Sequence, residues 1–360
     1  MKAAVFHGVG QPMTLEDVEI NKPGPREVLL RTQVAGLCHS DLHFIEGKYP
    51  HPVPAILGHE AAGIVEAVGE AVTHVKPGDH VVTCLSVFCG HCEFCITGRQ
   101  VLCSNTAVKM PPGAARRLRL KGEHLNQFLN LSAFAEQMLV HENAVVKVRE
   151  DMPMDLAALL GCGVLTGYGC VAHSAKVEPG ATVAVIGCGG VGLSTVSAAR
   201  LAGAGRIIAI DKDPGKLEMA RLFGATDGVL SDGETVGKVI EMTQGGVHHA
   251  IECVGLKQTT EDAFRMLRSG GTATIVGMIP VGVKVELHGF DFLRERRIQG
   301  SMMGSNHFRI DIPRLIDFHL QGRLQLERLI SGRLALDQIN DGFAALQRGG
   351  IARNVIEFAH

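Results

Sequence analysis

Residues 181–192 read Ala-Thr-Val-Ala-Val-Ile-Gly-Cys-Gly-Gly-Val-Gly, an apolar β-branched run that breaks into the pattern G-x-G-x-x-G. Alone the pattern is weak in a chain with 44 glycines. Its setting gives it force. The run reads as a strand, and a helix-length segment follows from Val191 to Ala202. A second strand pattern, RIIAID, ends in Asp211, nineteen residues beyond Gly192. A strand that turns at once into a helix in this way leaves free backbone N–H groups at the helix start. Gly187, Gly189, Gly190, Val191 and Gly192 can then bring backbone close to a pyrophosphate. Asp211 can accept hydrogen bonds from both adenosine ribose hydroxyls and would repel a 2′-phosphate, which favours NAD over NADP. The bland alternative is a tight turn before an acidic strand end. Cys188, inside the loop, reads as a small filler.

The same rhythm continues. Asp213-Pro214 opens another helix, with Asp as N-cap and Pro at the first helical position. HHAIECVG, the helix-like KQTTEDAFRMLRS and the strand GTATIVG follow. Strand–helix alternation predicts an α/β fold: a Rossmann doubly wound parallel sheet with helices on both faces. Up to about residue 150 the pattern differs. KAAVFHG, EVLLRTQVAG, AAGIVEAVG, GDHVVTCL and AVVKV are short β-rich runs bounded by turn residues, which predicts a barrel-like β domain. MPPGAARRLRLKGEH reads as a loop. The segment Lys109–Lys121 carries five basic residues and reads as a solvated loop, with an anion-binding patch as the alternative. Past residue 302, IPRLIDFHLQG reads as a helix before a tail ending NVIEF. At 360 residues two domains are the expectation.

Composition excludes several roles. The formal net charge is −2 and tryptophan is absent, so neither nucleic acid nor an anionic membrane surface is an expected partner. The start, MKAAVFHGVGQPMTLEDVEI, lacks the apolar core of a secretory signal. Leu156–Ala175 and Ala181–Ala199 are long and uncharged, but glycines break both, so they read as buried segments of a soluble, cytoplasmic fold. Ten cysteines in such a chain argue against a disulfide framework.

Four of them crowd into CGHCEFCITGRQVLC: Cys89, Cys92, Cys95 and Cys103, spaced C-x2-C-x2-C-x7-C. Ferredoxin-type spacing closes with a three-residue gap, and the gap of seven argues against it. Four thiolates on one compact loop suit a closed tetrahedral zinc, which stabilises a fold and does no chemistry. Three further ligand candidates lie apart: Cys38 in GLCHSDLH, His59 in GHEAAG and Cys162 in GCGVLTGYG. Taken singly, each reads as packing; the case for them is joint.

That joint pattern closely resembles the zinc-containing medium-chain alcohol dehydrogenases, from LCHSDLH through GHEAAGIV, the four-cysteine loop, CGVLTGYG and GCGGVG to Arg353 near the end. The resemblance implies a GroES-like catalytic domain at 1–163 and 303–360 and a Rossmann NAD-binding domain at 164–302. It implies two Zn²⁺ per chain, one structural and one catalytic. Cys38, His59 and Cys162 would hold the catalytic ion; that Cys2His set is the known arrangement of alcohol dehydrogenase and is carried over from the family. Asp41 matches the carboxylate behind the liganding histidine, and Glu60 an acid behind the metal. Ser40 and His43 match a proton relay that runs through the nicotinamide ribose to solvent. His39 and Arg353 match pyrophosphate contacts, Lys216 a lysine near the adenosine ribose, and Thr166 a residue packing on the nicotinamide. Each has a plainer alternative: Asp41 and Ser40 as caps, Glu60 as a buried acid paired with a distant arginine, His43 and Lys216 as solvated side chains.

The implied activity is hydride transfer between NAD and a small-molecule primary or aromatic alcohol or its aldehyde. Glutathione-type formaldehyde dehydrogenases carry an arginine four residues after the last cysteine of the loop; Ala107 stands there. Leu85 replaces a phenylalanine common beside the substrate, with Tyr49 as an expected neighbour. Zinc polyol dehydrogenases often replace one thiolate with a carboxylate, whereas Cys162 is present. Catalytically dead, structural or NAD-sensing relatives would have lost ligands or relay, and all are retained. The long stretch between Cys103 and Cys162 matches dimeric members, so a homodimer through the cofactor domains is expected.

Overall fold

The computed structural model describes residues 1–109, 117–349 and 352–359. The chain forms two compact units, Met1–Cys162 with His307–His360, and Gly163–Asn306. The first is built on one eleven-residue strand, Glu27–Leu37. Val28, Leu30, Thr32 and Val34 are buried while Glu27, Leu29, Arg31 and Gln33 are less so, the period-2 alternation of a pleated strand, and from Ala35 to Leu37 every residue is buried. It pairs antiparallel with Ala61–Val68, Gln137–His141 and Arg353–Glu357. The C-terminal tail therefore completes a sheet begun near the N-terminus. That sheet has seven strands and a second has six. Phe6, Leu30, Leu37, Ile56, Phe128, Phe134 and Met138 fill the core between elements. The short helix α1 (His39–Ile45) starts directly after the long strand.

One expectation needs correction here. MPPGAARRLRLKGEH is in part strand: Leu118–Leu120 and Glu123–Gln127 pair antiparallel. Leu118, Leu120 and Leu125 are buried, a period-2 signal hidden by the basic residues between them. Residues 110–116 of the basic segment lie outside the described residues. Of the others, Arg117 is buried with its Nε donating to Glu27 Oε1 at 2.6 Å and Nη1 to Gln127 Oε1 at 2.7 Å. Lys121 reaches Glu16 at 3.3 Å. Both cations form ion pairs within the unit, Arg117 buried and Lys121 exposed.

The second unit is the parallel sheet expected from the alternation. Numbered within it, the strands are β1 (Thr182–Ile186), β2 (Arg206–Asp211), β3 (Asp227–Leu230), β4 (Val247–Glu252), β5 (Leu267–Ile275) and β6 (Arg297–Gly300). Their order across the sheet is 3-2-1-4-5-6 and every pair is parallel. Helix α2 (Gly163–Gly169) precedes β1 and helix α3 (Gly190–Leu201) follows it. The helix Pro214–Phe223 starts as its sequence demands, with the Asp213 carboxylate accepting Gly215 N–H at 2.8 Å. KQTTEDAFRMLRS is helical only to Arg265, and Leu267 already enters β5. Among the described residues no helix is long and apolar enough to cross a membrane. The fold class is thus α/β, a doubly wound sheet plus a β-rich unit. In such a sheet ligands bind beyond the carboxyl ends of the strands, where the order reverses between β1 and β4.

Candidate metal and cofactor site

Cys38, His59 and Cys162 come together, their ligand atoms all within 4.8 Å of one another and all three side chains buried. Each is placed by a change of direction in the chain. Cys38 directly follows the long strand and serves as N-cap of α1. His59 lies in the turn between Ala55–Ile56 and Ala61–Val68. Cys162 follows the helix Met154–Leu159. His59 Nε2 sits 3.2 Å from Cys162 Sγ, and its Nδ1 lies 2.9 Å from Asp41 Oδ1.

Asp41 is fully buried and does two jobs. It accepts the N–H of Cys38 at 3.3 Å and of Gly58 at 3.2 Å, and it holds His59 Nδ1. The cap and the contact with His59 Nδ1 therefore coexist. A carboxylate on Nδ1 fixes the proton there and turns Nε2 toward a metal. Burial alone would depress His59, but the Asp41 charge and hydrogen bond, with Cys38, raise it well above its usual range. The Cys162 thiol donating to Cys38 holds Cys38 well below the usual thiol range, against burial and with help from Arg353 and His59. Two sulfurs, one oriented imidazole and burial make a donor set that fits tetrahedral zinc with one position left for a non-protein oxygen.

Glu60 is fully buried, and Arg353 Nη1 lies 3.7 Å from its Oε2 while donating to Leu37 O at 3.1 Å. Among the described residues neither Glu60 oxygen has a hydrogen-bond partner. Burial, opposed by Arg353, pushes Glu60 up to about 7. The distant arginine that the sequence offers as a partner for a buried Glu60 is thus Arg353; which arginine it is was not legible, because no local pattern joins the two. Ser40 and His43 stand three apart on α1, on one face. Ser40 is half-buried and His39 exposed. His43 Nδ1 is buried without a hydrogen-bond partner among the described residues, and burial, then Lys48, lowers its pKa.

The four-cysteine loop forms a second set. The sulfurs of Cys92 and Cys95 lie 3.4 Å apart, of Cys92 and Cys103 3.8 Å, and of Cys89 and Cys95 3.9 Å. A tetrahedral ion with bonds of about 2.3 Å spaces its sulfurs about 3.8 Å apart. Burial would raise Cys89, yet the N–H groups of His91 and Cys92 bring it down to about 6. The set is closed, four thiolates for four positions, and fits a structural zinc.

In the second unit the glycine loop bends as its sequence requires. A Cβ on Gly192 would lie 1.7 Å from Gly187 O, so helix and strand meet only without one. A Cβ on Gly189 would meet nothing within 4 Å. That space, above a helix start with no side-chain cap, fits a pyrophosphate. Asp211 is 8% exposed at the end of β2; its Oδ2 accepts Cys188 N–H at 2.7 Å and its Oδ1 accepts Asp213 N–H at 3.0 Å. The loop and the acid are therefore one hydrogen-bonded piece. Lys216 is half-exposed. Thr166 is buried in α2, its hydroxyl 3.7 Å from Met303 Sδ; the sequence reading missed Met303.

Against known proteins, residues 24–150 match the Alcohol dehydrogenase GroES-like domain and residues 190–321 match Zinc-binding dehydrogenase. An Alcohol dehydrogenase class-3 from Myxine glutinosa is 37% identical over 365 residues, covering 99% of this chain and 97% of its own. An S-(hydroxymethyl)glutathione dehydrogenase from Photobacterium damsela subsp. piscicida is 36% identical, covering 99% of each chain. The crystal structure of benzyl alcohol dehydrogenase from Acinetobacter calcoaceticus superposes with TM-score 0.94 at 34% identity, covering 99% of each chain. The chain belongs to the zinc-containing medium-chain alcohol dehydrogenase family. It is an oxidoreductase whose cofactors are zinc and a nicotinamide dinucleotide.

Proposed function

We propose that the protein transfers a hydride between NAD and a primary or aromatic alcohol, with the aldehyde as the oxidised partner. The observation that carries this is the buried Cys38–His59–Cys162 set with Asp41 on the far nitrogen of its imidazole. When bound, zinc supplies Lewis acidity toward an alcohol oxygen and the dinucleotide supplies the hydride acceptor. The chain's own residues do the rest. Asp41 keeps the His59 proton on Nδ1, leaving Nε2 as a ligand. Ser40 and His43, on one face of α1, pass the alcohol proton outward. Burial keeps His43 neutral, so its ring can take that proton and release it. Arg353 offsets the charge of Glu60 and of the thiolates. Gly189 admits the pyrophosphate, Lys216 and Asp211 hold the adenosine ribose, and Asp211 excludes a 2′-phosphate. Thr166 packs on the nicotinamide.

An aryl or alkyl alcohol is favoured over a glutathione adduct because Ala107, exposed beside the four-cysteine loop, offers no cation for a carboxylate. We further propose a homodimer through the second unit. Among the described residues the edge strand β6 has no partner on its outer side, and Val281, Phe290 and Leu293, which precede it in the chain, are 71%, 57% and 79% exposed, apolar surface of the kind proteins cover. None of the ten cysteines is in a disulfide, which supports the reading of a cytoplasmic setting. The test is NAD and NADP reduction over a panel of primary, aromatic and secondary alcohols and S-hydroxymethylglutathione. Benzyl-type and primary alcohols with NAD are expected to turn over fastest. Turnover confined to the glutathione adduct, or to NADP, overturns the substrate or cofactor reading. Light scattering at the mass of a tetramer overturns the dimer.

A further inference from the structure

Three consecutive residues just past β6 adopt left-handed backbone: Met303 (φ 49°), Gly304 (φ 71°) and Ser305 (φ 50°). Glycine does so freely, whereas methionine and serine do so only at an energetic cost. Strain of this kind persists where the surroundings over-determine it, and here they do. A Cβ on Gly169 would lie 2.2 Å from Gly304 O, and one on Gly304 would lie 2.6 Å from Thr166 O. Asn306 Nδ2 donates to Met303 O at 2.8 Å. The Ser174 hydroxyl is 2.7 Å from Ser301 Oγ and donates to Ser305 Oγ at 3.0 Å. Ser174 itself lies in a π-helical turn, Cys170–Ala175, that continues α2, and π-turns concentrate at functional sites. At the centre of this clamp Thr166 Oγ1 donates to Met303 Sδ at 3.7 Å.

The location gives the clamp a use. The turn leaves the carboxyl end of β6, the side of a parallel sheet on which ligands bind. Helix α2 packs on α3 so closely that a Cβ on Gly167 would lie 2.7 Å from Thr195 N, one turn beyond the glycine loop. A helical threonine divides between two rotamers because its hydroxyl can also bond the carbonyl four residues back. The thioether, pinned by the left-handed turn, selects one of the two.

We propose that Met303 is a positioning residue for the dinucleotide: the strained turn holds its sulfur as acceptor for the Thr166 hydroxyl and so fixes which face Thr166 presents to the nicotinamide half. This rests on the reading that Thr166 packs on the nicotinamide. The test is NADH binding, followed by the cofactor's own fluorescence, for the parent and for Met303→Leu, Met303→Gln, Thr166→Val and the double variant Met303→Leu/Thr166→Val. Leucine keeps the volume and removes the acceptor. It should weaken NADH binding about threefold to tenfold, the range of one hydrogen bond, and raise KM for NAD while kcat stays nearly constant. Glutamine restores an acceptor and should recover most of the loss. The double variant should bind no worse than Thr166→Val alone, because Met303 acts only through Thr166. Parent-like binding by Met303→Leu overturns the proposal, as do losses that add in the double variant. In both cases the dinucleotide reading stands. A parent that binds no NADH overturns that reading and this proposal with it.

Discussion

The two cysteine sets solve different problems with the same atoms. Cys89, Cys92, Cys95 and Cys103 come from one short loop, and Cys89 and Cys92 are only half-buried. Cys38, His59 and Cys162 come from three distant segments and are all buried. The loop set draws on the N–H groups of Cys89 and Cys92, which point at sulfurs of the set, and on Lys109, whose Nζ donates to Cys103 O. The buried set draws in Asp41, Glu60 and Arg353, each 4% exposed or less. Buried charge is tolerated only when paired or hydrogen-bonded, so a site that must keep a coordination position open carries a shell of compensating groups. The closed site of four thiolates, partly open to water, leans instead on backbone N–H groups and Lys109. One set should therefore govern chemistry and the other stability.

Removing one ligand from each set is the sharpest way to break that contrast. Cys38→Ser is expected to lower kcat/KM on the order of a thousandfold or more, since Lewis acidity contributes several kcal/mol. Zinc should fall from two per chain to one by elemental analysis, with the melting temperature nearly unchanged. Cys95→Ser should also lose one zinc, but its signature is a fall in melting temperature of roughly 10 °C, because binding energy at a structural site is folding energy. If Cys38→Ser melts early and Cys95→Ser does not, the two roles are exchanged.

Asp41→Asn tests the shell alone. The amide can still cap α1, but it holds the His59 ring less firmly and without charge. Metal affinity or activity should drop about 10-fold to 100-fold, the usual cost of losing such a partner, and added zinc should restore part of it. Activity equal to the parent's would mean that Asp41 serves only as a cap.

The contrast also explains what could be read in advance. The loop set was legible from spacing alone, because all four ligands share one window. The glycine loop was legible because strand, turn and helix follow one another and Asp211 closes the pattern. Cys38, His59 and Cys162 emerged only jointly, through resemblance, since no local spacing ties them. The Glu60–Arg353 pair and the Thr166–Met303 contact are set by tertiary packing between segments far apart in sequence, and no periodicity announces them. The strand Leu118–Leu120 was missed for a different reason: charged residues alternate with its leucines, and charge was read as loop.

The smallest expected effect separates acid damage to the fold from acid damage to either metal set. His141 belongs to neither. It ends a strand paired with Glu27–Leu37, and its Nδ1 accepts the N–H of Asn143 at 3.0 Å. Burial pushes it down from 6.5 to about 4. The unfolded chain therefore takes up this proton near pH 6.5 and the folded chain only near pH 4. Stability from this histidine is whole above 6.5 and is lost as pH falls through that window, about 1–2 kcal/mol between pH 7.5 and pH 5. His141→Gln keeps an acceptor for Asn143 but does not titrate there. Urea midpoints at the two pH values should show a smaller acid loss for the variant, by that amount, while its zinc content matches the parent's at both. If parent and variant lose stability equally, the acid sensitivity lies with the thiolates and His59, and the metal sets, not the packed core, set the lower pH limit of the fold.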